Sequence, residues 1–289
     1  MKIVKTSILA DKENKIFTTK IIEQPYFSTE FHFHEECQLV YVIESEGKRI
    51  VGDSIEHFER EELIFLGPNI PHVWHNDQAY FMQNMDKPSA KSISVFFDAE
   101  KLMALLIHFG DFKKLEAVIV KAQRGMKFYG KTKTLLRNLI YEITQETGDF
   151  SRMILLANIL RLLSTTNEYE LLSGAGYVNN YQLKDNDRMD KVFKYVFDNF
   201  ASEMKLETIA DLVGMNKQAF CRFFKSRTQK TFIQFVNEVK IGQACKLIAN
   251  KDMQIGNVAL ACGFQTISNF NKFFKLMKGV TPNAYRKTF

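Results

Sequence analysis

The stretch IGNVALACGFQTISNFNKFFKLMKGVTPNAYR, residues 255–286, decides how this chain is read. Gly263 divides it. A short apolar segment precedes the glycine. A polar turn comes next, then a run holding Phe270, Phe273 and Phe274. At about 100° per residue, these phenylalanines and Met277 fall on one side of a helix. Ser268, Asn271, Lys272 and Lys275 fall on the other. Glycine reaches the left-handed conformation that a sharp turn needs, and Thr266 is a good N-cap for the second helix. The spacing predicts helix, turn, helix.

The same grammar occurs upstream in IADLVGMNKQAFCRFFKSRTQKTFIQF, from Ile209. Ala210 and Gly214 precede Ala259 and Gly263 by 49 positions; Phe220, Phe224 and Lys225 precede Phe270, Phe274 and Lys275 by 50. The extra residue falls in the turn, where insertions are tolerated. Asn216 is the expected N-cap. Phe220, Phe223 and Phe224 form the apolar side; Gln218, Cys221, Arg222 and Lys225 form the other. Neither polar stripe contains an acidic residue, although a solvated helix face usually mixes them in. Amide, Arg and Lys donors suit base edges and phosphates. Chance amphipathy is a fair account of one such helix and a poor account of two.

Charge supports this reading. Residues 186–289 carry 17 Lys and Arg against 8 Asp and Glu, a net +9. The preceding 185 carry 22 against 25, a net −3. A basic back half joined to a mildly acidic front suggests a polyanionic partner for the back.

The quoted stretch resembles the signature of the AraC/XylS family of transcription regulators. Ile255, Ala259, Gly263, Phe264, Phe270, Lys272, Phe274, Lys275, Gly279, Thr281, Pro282, Tyr285 and Arg286 fall in place. LETIADLVGMNKQAFCRFFK matches the family's first unit, and the resemblance covers residues 187–287. It implies two helix-turn-helix units, about 206–227 and 255–277, joined by a long helix near 231–249. Their second helices would enter successive major-groove faces about 34 Å apart. Carried over by position, Gln218, Cys221, Arg222, Ser268, Asn271 and Lys272 are the base-reading candidates. Asn216, Lys225, Thr266 and Lys275 are the phosphate candidates. There are departures. Gln229 stands where a glycine is common, which puts the conformation of that turn in doubt. Lys240 replaces a common arginine, and Lys272 another. Losing bidentate geometry at Lys272 makes Arg222 the better candidate for specificity. Cys221 is a poor donor, suited at most to a thymine methyl.

The front half reads as strands. CQLVYVIE (37–44), KRIVG (48–52), ELIFLG (62–67) and KSISVFF (91–97) are short, β-branched or aromatic, and punctuated by turn residues. A β-barrel or double-sheet roll is expected over residues 1–97. Residues 98–165 switch to helical spacing in four segments. The last two, over 131–165, are apolar enough to need a partner surface, which core packing or a homodimer would supply. TTNEYELLSGAGYVNNYQLKDNDR is rich in Asn, Gly, Ser and Thr, and a linker is expected at 166–186. The fold class is therefore α+β in two domains.

FHFHEECQ (31–38) and GPNIPHVWHN (67–76) resemble the two motifs of cupins. His32 and His34, at i and i+2 on a strand, share a face; His72 and Asn76 fit the second motif. Gln38 stands where a metal-binding cupin usually has Glu, and an amide is a weaker ligand. A metal site, a metal-free pocket and plain structural hydrogen bonding are the three readings. The pocket is carried forward, with His32, His34, Gln38, His72 and Trp74 as effector-binding residues. No cofactor, resident metal or catalytic residue is assigned.

Together these features imply a ligand-responsive transcription activator that binds double-stranded DNA and a small-molecule effector. A sugar is the effector class suggested by the family. The alternative is a metal-dependent cupin enzyme with a DNA-binding tail. No apolar run approaches the roughly 18 residues that cross a bilayer, the first residues lack a secretion signal's apolar core, and the four cysteines show no CxxC spacing. These point to a cytoplasmic protein with reduced thiols.

Overall fold

The computed structural model of the chain describes residues 15–27, 30–81, 89–177, 186–249 and 253–288. Two compact units divide near Asn179/Asn180, the second also taking Ile55–His57.

The first unit contains nine strands: β1 (Phe17–Gln24), β2 (Cys37–Glu44), β3 (Gly47–Val51), β4 (Ser54–Phe58), β5 (Leu63–Leu66), β6 (His72–Asn76), β7 (Ala90–Phe97), β8 (Met126–Phe128) and β9 (Tyr169–Leu171). Four helices accompany them: α1 (Ala99–Leu106), α2 (Lys113–Ala122), α3 (Gly130–Gln145) and α4 (Asp149–Thr165). Six strands make one sheet, in the order β1-β7-β2-β5-β8-β9; β4-β3-β6 make a smaller one.

Strand alternation sorts side chains between two cores. From β2, Cys37, Leu39 and Tyr41 enter a cluster with Leu136, Ile140, Ile159 and Leu163 of the helices. Val40 and Val42 go to the opposite face and meet Val51, Phe58 and Trp74 of the small sheet. Leu63 and Phe65 of β5 follow the first pattern, Ile64 and Leu66 the second. The central strands are therefore covered on both faces, which accounts for their nearly unbroken apolar sequence.

A closed barrel was the expectation, and here the structure corrects it. Among the described residues the two sheets share no ladder; His72 of the small sheet makes one isolated bridge, to His32, which lies in neither sheet. The free edge of β5 pairs with β8 rather than with the small sheet. The linker expectation also fails at its start. Residues 169–171 form β9 against β8. Beyond it the Arg124 guanidinium donates twice to the Ser173 carbonyl, at 2.9 and 2.8 Å. Ser173 Oγ donates to the Val51 carbonyl at 2.9 Å, and Tyr177 packs on the second core cluster. A polar, glycine-rich sequence reads as loop, but its hydrogen bonds come from distant strands. The rest of the expected linker, 178–185, lies outside the described residues.

α3 and α4 bury Leu136, Ile140, Ile143, Leu156, Ile159, Leu160 and Leu163 in the first core. Phe150, Met153 and Ile154 remain exposed. Core packing thus accounts for one face of the pair.

The second unit is helical: α5 (Asn186–Asn199), α6 (Leu206–Leu212), α7 (Lys217–Thr228), α8 (Phe232–Ala249), α9 (Ile255–Ala261), α10 (Ile267–Lys278) and α11 (Pro282–Arg286). The apolar residues of α8 serve two cores. Phe235, near its start, lies between Phe193 and Phe224, with ring centroids 5.1 and 5.3 Å away. Ile241, Ala244 and Ile248, nearer its end, pack with Val258, Phe264, Phe270 and Phe274. Among the described residues, no helix is long and apolar enough to cross a membrane.

Candidate functional site

α6–α7 and α9–α10 are built alike, bond for bond. Gly214 and Gly263 adopt φ of 67° and 75°. The next amide in each turn reaches back five residues: Met215 N–H to the Ala210 carbonyl at 2.9 Å, Phe264 N–H to the Ala259 carbonyl at 3.0 Å. Asn216 Oδ1 then accepts from Ala219 N–H at 2.8 Å, and Thr266 Oγ1 from Asn269 N–H at 3.2 Å. Both side chains are caps first. Each keeps a donor, the Asn216 amide or the Thr266 hydroxyl, for a phosphate.

The turn that leaves α7 was in doubt because of Gln229. It is not rebuilt: Gln229 takes φ 58°, ψ 11°, and Gly279 in the second copy takes φ 73°, ψ −15°. Both donate their amide to a lysine carbonyl one turn back at 2.9 Å. Here a glutamine takes the conformation that glycine takes in the second copy.

Phe220, Phe224, Phe270 and Phe274 are fully buried, while Phe223 and Phe273 are half-buried. Gln218, Cys221, Arg222 and Lys225 are exposed on α7, as are Ser268, Asn271, Lys272 and Lys275 on α10. Cys221 is a free thiol. Lys217, on α7, pairs with Glu207. Lys240, which the departure from arginine singled out, anchors the second turn. Its Nζ donates to the Gly263 carbonyl at 2.7 Å and lies 5.5 Å from the Phe264 ring centre. Half-burial lowers its pKa.

The first unit holds a cavity of about 350 Å³ lined by residues of both sheets. His32, His34, Gln38, His72 and Trp74, all singled out in the sequence, line it together. The His32 and His72 ring centres are 4.5 Å apart, those of His34 and His72 5.0 Å, and those of His72 and Trp74 5.6 Å. Every ring is held by a backbone carbonyl at 2.8 Å from Nδ1: Glu30 for His32, Glu36 for His34, Ile70 for His72. Desolvation lowers the pKa of all three, with mutual repulsion adding to it at His34 and His72; His34 falls to about 4. The cluster is therefore neutral near pH 7. Gln38 Oε1 lies 3.2 Å from His34 Nε2, and its amide donates to Ser94 Oγ at 3.0 Å. Asn76 plays a different part. Its Oδ1 accepts from Phe27 N–H at 2.7 Å, which closes the cavity's edge.

Sequence reasoning missed Lys20, Glu30, Ser92, Ser94 and Phe96 in the lining. The signal existed for β7. In KSISVFF, Ser92, Ser94 and Phe96 alternate with Ile93, Val95 and Phe97, but only pairing with β2 shows which set faces inward.

Residues 209–288 match the family model of a helix-turn-helix domain. The second unit carries a helix-turn-helix domain. Sequence relatives agree with it. The chain is 27% identical over 150 residues to the regulatory protein PocR of Salmonella typhimurium, covering 48% of this chain and 50% of that one. It is 19% identical over 288 residues to the transcriptional activator RhaR of Escherichia coli, covering 99% and 96%. It spans about half the length of PocR and 32% of the MmsAB operon regulatory protein of Pseudomonas aeruginosa. Among solved structures, ToxT of Vibrio cholerae covers 94% of this chain and 98% of its own at 13% identity and a TM-score of 0.35. The DNA-binding domain of AdpA in complex with a target DNA covers 35% of this chain at 26% identity and a TM-score of 0.33. The helix-turn-helix match covers most of the basic unit; the family model does not reach the histidine-lined cavity.

Proposed function

We propose that this chain is a transcription activator that binds DNA sequence-specifically through two helix-turn-helix units and responds to a small molecule held in the front cavity. The observation that carries the reading is the pair of exposed, acid-free faces on α7 and α10, offered by two turns of matching hydrogen-bond geometry. In this reading Gln218, Cys221, Arg222, Ser268, Asn271 and Lys272 face base edges. Asn216, Lys225, Thr266 and Lys275 take phosphates, and Lys240 holds the second turn steady behind them. No described hydrogen bond or ion pair occupies Arg222, Lys225, Lys272 or Lys275, so each meets DNA without first breaking an internal bond.

The front unit belongs to the cupin-like class of double-sheet rolls, with α1–α4 as its helical appendix. His32, His34, Gln38, His72 and Trp74 contact the effector, and a sugar suits the mix of ring, hydroxyl and amide groups. Residues 169–177 supply a route out of the sensor. They are clamped by Arg124, and Tyr177 shares a hydrophobic cluster with the cavity-lining Phe27, Val40, Val42 and Trp74. An effector that shifts Trp74 disturbs the packing of the segment that leads towards the DNA-binding domain. The exposed apolar side of α3 and α4 suits a homodimer. The protein acts in the cytoplasm, where its DNA lies.

Genome-scale mapping of bound sites tests this directly, followed by binding to one recovered site and to single-base variants of it. Recovery of a shared motif, with affinity falling steeply as salt rises, is the expected result. Equal affinity for random duplexes would overturn sequence-specific regulation.

The convergence of three histidines favours one second reading, a metal-dependent cupin enzyme with a DNA-binding tail. It requires turnover of a cavity-bound substrate that His72→Ala abolishes while DNA binding persists.

A further inference from the structure

Two buried polar atoms that line the front cavity have no hydrogen-bond partner among the described residues: Nε2 of His72 and Nε1 of Trp74. They are opposite in kind. The indole N–H can only donate. His72 donates from Nδ1 to the Ile70 carbonyl at 2.8 Å, so its Nε2 is a bare lone pair. His32 and His34 are held the same way, by the Glu30 and Glu36 carbonyls at 2.8 Å, and their Nε2 atoms are acceptors too. Gln38 adds a further acceptor. Its amide nitrogen is engaged by Ser94, and its Oε1 faces His34 Nε2 at 3.2 Å.

The spacing decides what fits among these lone pairs. One ring nitrogen of each histidine lies within 4.8 Å of those of the other two. Three acceptors around one tetrahedral donor, each at about 2.9 Å, stand roughly 4.7 Å apart. A metal ion with bonds of about 2.0–2.1 Å would need them roughly 3.4 Å apart. A water or a hydroxyl brings too few hydrogens for three acceptors, whereas a primary ammonium brings three. A buried cation also needs a counter-charge. The Glu36 carboxylate is buried and stands 3.7 Å from His34 Nδ1. Glu30 and Lys20, both exposed in the lining, offset each other. The balance is one negative charge, which suits a monocation.

We propose that the cavity takes a small primary amine with a hydroxyl beside its ammonium, the grouping shared by amino alcohols and amino sugars. The ammonium donates to His32, His34 and His72, with Gln38 Oε1 sharing the N–H that reaches His34. The neighbouring hydroxyl accepts from the Trp74 indole. The His72 and Trp74 ring centres are 5.6 Å apart, so both groups belong to one end of the ligand. Its carbon body lies against Phe27, Val40, Val42 and Phe96. This inference rests on the reading of the cavity as the effector site and narrows the class of effector.

The test titrates the full chain calorimetrically, at fixed ionic strength and with a chelator present. Ethanolamine should bind at one site, at least about tenfold tighter than ethylene glycol, which lacks the charge, or tetramethylammonium, which lacks N–H. D-glucosamine binding tighter than ethanolamine identifies an amino sugar; the reverse identifies an amino alcohol. His72→Ala and the less buried His32→Ala should each weaken ethanolamine about tenfold. Trp74→Phe, which keeps an aromatic ring without the N–H, should weaken ethanolamine and leave ethylamine unchanged. Far-UV circular dichroism checks that the variants are folded. No saturable binding of either amino compound, an equal response to ethylene glycol or tetramethylammonium, or binding that appears only once Zn2+ is added overturns the amine site. DNA binding by the same samples is scored separately. Amine binding that leaves DNA affinity unchanged overturns the effector reading and spares the site; DNA binding that persists in a chain with no amine site overturns the site alone.

Discussion

Replacing Gly263 by alanine tests the physical basis of the α9–α10 turn. Three glycines in the helix-turn-helix domain share the left-handed conformation: Gly214, Gly263 and Gly279, at φ 67°, 75° and 73°. An alanine in that region costs about 1 kcal/mol, less whatever it gains by restricting the unfolded chain. Nothing lies within 4 Å of a Cβ built on Gly214 or Gly279. On Gly263 the same atom would stand 2.3 Å from the Ala201 carbonyl oxygen and 2.6 Å from its carbon. Both are backbone atoms, so no side-chain rotation relieves the overlap. Forcing bulk into a packed site adds about 1–3 kcal/mol, which brings Gly263→Ala to roughly 2–4 kcal/mol against about 1 for the other two. The carbonyl of Gly263 also accepts from Lys240, so a shifted turn strains that contact too. Urea unfolding of the intact chain, followed by helical circular dichroism, measures the difference. The single tryptophan, Trp74, reports on the front unit and serves as an internal reference. If Gly263→Ala costs no more than Gly214→Ala, close approach to Ala201 is not what requires glycine there.

Arg222→Ala should cost about 1–3 kcal/mol of specific binding and relax preference at one base position, whereas Lys225→Ala should weaken all duplexes alike and reduce the salt slope by about one. Binding titrations on a mapped site and its variants, at several salt concentrations, separate the two. Gln229→Gly should stabilise the second unit by about 0.5–1 kcal/mol, since glycine relieves a left-handed backbone at some entropic cost; the same urea assay measures it, and a loss of stability refutes the strain argument. Glu168 Oε2 accepts from Thr132 N–H, in the first turn of α3, at 2.6 Å. Backbone and side-chain hydrogen bonds from Thr132 hold its pKa below the ordinary 4.5. A depressed folded pKa stabilises the fold above about pH 4.5 and loses that stabilisation as pH falls through the folded value. Thermal melts across this range should therefore show a shallower acid decline in Glu168→Gln than in the parent.

Much of the basic unit was legible because its information is local. Phenylalanines at 270, 273 and 274 fix one helix face through a period of 3.6 residues. Gly263 and Thr266 fix the turn and its cap by their own conformational and hydrogen-bonding preferences, and the copy at 214–225 repeats the pattern. Gln229 marks the limit of that logic. Read alone, it argued for a different turn; packed between α7 and α8, it takes glycine's place. In the front unit the histidine motifs named residues that the fold gathers at one cavity.

The sequence could not determine which distant strands would meet. β8 and β9 are three residues long and lie in stretches that read as loop and linker. They are strands because the edge of β5 offers β8 a partner and β8 in turn offers one to β9. Ser94 stands beside Gln38 only through the register of β7 on β2. His72 reaches His32 only because a bridge joins segments 40 residues apart. Side-chain periodicity is a property of neighbouring residues and survives in one dimension. Register, edge pairing and the convergence of three imidazoles on one point come from contacts between segments far apart in the chain, so only the folded structure decides them.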